Sequence, residues 1–151
     1  MKSTAITIMM MIFGTGLFAQ GSCFTNADNV VVDGYDIVSY WDGNAEKGTK
    51  DHSVEHGGAT FYFSSASHAK SFTKDPMNYM PEYGGFCAYA MAEKNMEVPS
   101  NPTTFKVVDK KLYLFFNGEM DGMKMNTLMA WDKGDETALI KTANTNWKKM
   151  Q

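Results

Sequence analysis

Two residue types carry most of the chemistry this sequence could do: sulfur in an unusual form, and imidazole. Met120-Asp121-Gly122-Met123-Lys124-Met125, with Met129 just beyond, spaces three thioethers as Met-x-x-Met-x-Met. Thioethers are soft ligands suited to Cu(I), and they do not form disulfides. The same side chain also fills core gaps and adapts at binding surfaces. Cysteine is scarce, with only Cys23 and Cys87. Cys87 follows Gly84-Gly85 and precedes a run of small residues, so it is expected in the first turn of a helix. Amides at a helix N-terminus favour the thiolate, which is both the nucleophile and the metal-ligating form. The histidines are His52, His56 and His68. His52 and His56 fall in a predicted strand, where four residues span about 13 Å. Both then face one side but lie too far apart to share one ion, so at most one of them joins Cys87 in a site unless the strand is bulged. His68 is expected early in the next predicted helix, close to the end of the hairpin, and His68 or His52 is the candidate nitrogen ligand.

Composition narrows the partners. The chain has 151 residues, a formal net charge of −3, and 14 cationic side chains, all of them lysine. Nucleic-acid readers rely on arginine for bidentate contacts, so DNA, RNA and anionic membranes are poor partners. Apolar residues make up 44% and charged residues 21%, the balance of a globular domain. There is no Gly-Lys-Ser/Thr phosphate loop and no dinucleotide fingerprint. Ser64, Ser65 and His68 lack the strand–turn–helix elbow of a serine hydrolase.

The elements that must position these residues read as an α+β domain, a small antiparallel sheet of hairpins packed with short helices. His52–His56 and Ala59–Phe63 flank Gly57-Gly58, a hairpin signal. Ser65 or Ser67 caps a helix through Lys74, which Asp75-Pro76 ends. A second hairpin pairs Phe105–Val108 with Leu112–Phe116 across Asp109–Lys111. Gly118 to Asn126 reads as a Met-rich loop, and Thr127–Trp131 and Glu136–Trp147 as closing helices.

The N-terminus bears on the compartment. Ala5–Phe18 is an almost wholly apolar run of 14 residues behind Lys2, shorter than the roughly 18–20 that span a bilayer. Ala19 offers a cleavage site. Residues 1–19 therefore read as a signal peptide, 20–32 as a leader and 33–151 as the domain. Export places the chain in the periplasm or outside the cell, where thiols are at risk of oxidation. Lipid anchoring at Cys23 is the less favoured reading, because Gln20 stands where a lipoprotein site wants leucine. A Cys23–Cys87 disulfide is a further option, stabilising by about 4 kcal/mol in the chain-entropy picture.

Several motifs in order resemble one family. They are Asp33-Gly34-Tyr35-Asp36-Ile37-Val38-Ser39-Tyr40, Gly58-Ala59-Thr60-Phe61-Tyr62-Phe63-Ser64-Ser65, Tyr83-Gly84-Gly85-Phe86-Cys87-Ala88, Leu112-Tyr113-Leu114 and Ala143-Asn144-Thr145-Asn146-Trp147. Together they resemble the exported bacterial YHS-domain proteins over nearly all of the chain after residue 19. The resemblance implies heavy-metal handling. It also marks a departure, since the cysteines of metal-binding members are replaced: Asp36 stands in register with the first, Ser64 and His68 with a later pair. The exported branch keeps Cys87, which some relatives replace by selenocysteine, and this implies a reacting or ligating sulfur.

Three readings follow. The leading one is a small exported metal-binding protein for sequestration or transfer, with copper ahead of zinc or iron. Its ligands would come from Cys87, His68, His52, His56, Met123 and Met125, and its partner would be a metal-transfer or redox protein. The second is a thiol- or peroxide-reactive protein that uses Cys87. The third is a non-catalytic interaction domain.

Overall fold

The computed structural model describes residues 23–151; the expected signal peptide lies outside them. Over these residues the chain folds as the α+β arrangement anticipated, three two-stranded antiparallel hairpins with helices between and after them. β1 (Thr49–His56) pairs with β2 (Ala59–Phe63). Gly57 and Gly58 form the turn at φ 60° and 79°, the mirror-image conformation that matches strand twist and favours glycine. Helix α1 (Ala66–Lys74) follows, capped by the Ser65 side chain on the His68 amide, and α2 (Pro76–Tyr79) begins at the proline. A kinked turn over Glu82–Gly85 leads to α3 (Ala88–Lys94).

β3 (Asn101–Val108) pairs with β4 (Lys111–Phe115). β4 is the wall shared by the two halves of the core. Leu112 and Leu114 face Val31, Ile37, Tyr40, Phe61, Phe63 and Phe72. The alternate residues Tyr113 and Phe115 face Tyr83, Met91, Trp131 and Ala143. A strand that buries both faces loses the polar alternation of a surface strand, and each fully buried leucine contributes about 1.5–3 kcal/mol. α4 (Thr127–Trp131) and α5 (Glu136–Met150) close the second half, with α5 lying against α3.

Two expectations are corrected here. The leader is part of the fold from Cys23 onward: Val30, Val31 and Val32 are buried, and Val30 and Val31 bridge to Thr60 and Thr25 respectively. The apolar Val30–Val32 run gains more from burial than it could from solvent exposure. Second, Gly118–Asn126 is not a loop. β5 (Asn117–Met120) and β6 (Met123–Asn126) form a third hairpin. Asp121 and Gly122 turn it at φ 53° and 76°.

Candidate metal centre

The β5–β6 register decides where the methionines point. Met120 lies opposite Met123, Glu119 opposite Lys124, Gly118 opposite Met125 and Asn117 opposite Asn126. Directly opposed residues share a face, and so do residues two apart. Met120, Met123 and Met125 therefore occupy one face together with Gly118. The other face is polar and carries the opposed charges of Glu119 and Lys124. The three methionines are 38%, 62% and 40% exposed, and Met129 is 60% exposed. Met91, by contrast, is fully buried and is ordinary core filling. A Cβ at Gly118, at the base of the methionine face, would crowd the Phe116 ring at 3.2 Å.

Cys87 is where the sequence placed it along the chain, at the start of α3, but its surroundings differ. It is the N-cap residue of that helix and is fully buried. Its backbone bridges Leu114 and donates to the Val98 carbonyl. The Ala90 amide donates to Sγ at 3.5 Å, and Sγ lies 3.2 Å from Thr127 Oγ1. Thr127 gives its own proton to the Phe116 carbonyl at 3.0 Å. The thiol must then donate to Thr127, which completes a chain of hydrogen bonds from α3 through α4 to the end of β4. Such a buried, hydrogen-bonded sulfur ties elements together.

Cys23 and Cys87 are both free thiols. Cys23 is half-buried beside Met80, Glu82, Tyr83 and Trp147, around a cleft of about 280 Å³. Burial pushes its pKa up to about 11.

The histidines separate. His52 and His56 lie on the half-buried face of β1. His56 meets the rings of Phe61 and Phe72 edge-on, at 6.4 and 5.6 Å between centroids. His68 belongs to a polar knot. Asp36 is fully buried, and its Oδ1 accepts from the amides of Val38 at 2.8 Å and Ser39 at 3.3 Å. Its Oδ2 accepts from the Ser64 amide at 2.8 Å, from Ser64 Oγ at 2.7 Å and from His68 Nδ1 at 2.7 Å. Asp36, Ser64 and His68 thus meet in space. The serine donates to the carboxylate that also holds the histidine, so it is not presented as a nucleophile. Sequence reasoning missed Asp36 as an organiser. Its Asp-x-x-Ser spacing, which lets a carboxylate cap the amides two and three residues on, was the available signal.

The structure does not gather the six expected ligands into one centre. Among the described residues no group of three or more His, Cys, Asp or Glu side chains could hold a metal ion. Again among them, no helix is long and apolar enough to cross a membrane. No family model matches the chain, and no curated protein or solved structure is significantly similar to it.

Proposed function

We propose that this chain is an exported copper-binding protein of the YHS-domain kind, holding Cu(I) on the methionine face of β5–β6 for sequestration or transfer. The observation that carries the reading is the register of that hairpin, which sets three exposed thioethers side by side. Exposing large apolar side chains forgoes burial energy, and methionine is the one that brings a soft donor atom in exchange. Thioethers select Cu(I) over zinc or iron, which take imidazole or oxygen more readily. An open face also suits hand-over to a metal-transfer partner. Motif order supports the family assignment, and the apolar run before Ala19 supports export to the periplasm or beyond.

The burial and hydrogen bonding of Cys87 move the anchor of the site from that thiol to the thioethers. The test is a Cu(I) titration under reducing, anaerobic conditions against a chromophoric chelator, using untagged protein. M120L/M123L/M125L keeps volume and apolarity, a change that usually costs under about 1.5 kcal/mol; it should lose the copper equivalent, while Cys87→Ser retains it. Copper lost in the Cys87→Ser protein and kept in the triple variant would return the site to the cysteine. Equal binding by all three proteins would end the proposal and leave the methionine face as a surface for protein partners.

A further inference from the structure

The ring of His68 has a second nitrogen whose position the methionine reading leaves unused. Asp36 takes four amide and hydroxyl donors besides the imidazole, so it is a carboxylate with no proton to give. At 2.7 Å, Nδ1 must be the donor to it. In the neutral ring Nε2 is then a bare lone pair. Its direction is fixed, because Nδ1 is tied to Asp36 and the His68 amide is tied to Ser65. Nε2 lies 3.8 Å from Asp42 Oδ2. That is too long for a hydrogen bond. It is within the span of two ligands on one cation, since nitrogen and oxygen each about 2.0–2.2 Å from a first-row metal sit roughly 3–4 Å apart. His68 is 22% exposed and Asp42 68% exposed, so an ion can reach both.

We propose that His68 Nε2 and the Asp42 carboxylate form a second cation site, for a divalent ion of the zinc or Cu(II) type, with water in the remaining positions. Asp36 supplies the outer carboxylate that sets tautomer and ring orientation, the arrangement metal-bound histidines generally use. Ser64 holds Asp36 in turn. The donors are nitrogen and oxygen, so this site and the thioether face differ in the ions they prefer. The proposal stands whether or not the methionine face binds copper.

Zinc is the probe, because it is redox-silent and thioethers bind it poorly. Zn²⁺ is titrated into the intact chain by calorimetry, while long-range ¹H–¹⁵N spectra follow the three histidine rings. Binding of one zinc with the dominant shift at His68 Nε2 is expected. Asp42→Asn, on an exposed side chain, should weaken binding at least tenfold, and His68→Gln should abolish it. Asp36→Asn should cost about 10–100-fold, the usual effect of losing an outer partner. The methionine triple variant should bind zinc as the parent does. A shift confined to His52 or His56, no binding by the parent, or an Asp42→Asn protein that binds unchanged would each overturn the proposal.

Discussion

Replacing Asp36 by alanine removes the acceptor for five donors at once, and the structure shows how much of that loss water can repair. The Ser39 amide also reaches the Asp36 backbone carbonyl at 3.1 Å and keeps a partner. The Ser64 hydroxyl and the His68 ring are part-exposed and can turn to solvent. The Val38 amide cannot, because Val38 is buried in the first core cluster. An orphaned buried donor costs about 1–3 kcal/mol. Loss of a buried, hydrogen-bonded charge partner costs about 3–5 kcal/mol in all. We therefore expect Asp36→Ala to destabilise by about 3–5 kcal/mol, which at this chain length lowers Tm by roughly 10–20 °C. Asp36→Asn should cost about half as much. Its oxygen still serves Val38 and Ser39, and only the Ser64 amide faces a donor with no way to turn. Urea unfolding followed by tryptophan fluorescence measures both variants, with the buried Trp131 as reporter. An Asp36→Ala protein within about 1 kcal/mol of the parent would refute the knot as a structural organiser.

Three further outcomes follow from other parts of the molecule. Lys106 lies 2.6 Å from Glu136 and 2.9 Å from Asp132. Hydrogen bonds from Lys106 and the Trp131 indole hold the Glu136 carboxyl below its ordinary pKa. Because the folded value is depressed, this stability is present above the unfolded carboxylate pKa and is lost as pH falls through the folded one; Glu136→Gln should flatten that limb of a plot of urea midpoint against pH. Bonds to Glu136 and Asp132 raise the Lys106 pKa, so its contribution is full below the unfolded lysine value and is lost only as pH rises past the folded one. The thiols should resist alkylation at pH 8. Cys23 should react slowly, its pKa being near 11, and Cys87 only on unfolding, as mass spectrometry after timed iodoacetamide would read. Asp109 and Lys110 both turn β3–β4 at positive φ, 48° and 58°. Lys110→Gly should therefore stabilise by about 0.5–1 kcal/mol in the same urea assay.

Local signals in the chain were readable, and non-local ones were not. Gly57-Gly58, Ser65 and Asp75-Pro76 announced a hairpin and a helix that the structure contains. Asp121-Gly122 announced the third hairpin with equal force, but methionine is a weak strand former beside Val, Ile or Tyr, and the segment read as a loop. Val30–Val32 looked like a lead-in because their partners lie elsewhere in the chain, Thr60 among them. Cys87 was placed correctly at a helix start. Its burial depends on Leu114 and Thr127, both more than 25 residues away. Asp36 and His68 are 32 residues apart, and nothing in either neighbourhood signals that they meet. Spacing along one strand could exclude His52 and His56 as a pair. Only the fold could show which histidine finds a carboxylate.

The methionine face itself is tested most directly with Ag(I), a redox-silent stand-in for Cu(I), added to protein carrying ¹³C-labelled methionine methyl groups. The hairpin register requires the methyl signals of Met120, Met123 and Met125 to move together and saturate near one silver per chain, with the buried Met91 unmoved. Shifts spread over Met77, Met96 and Met150 alike, or none on the hairpin, would contradict it.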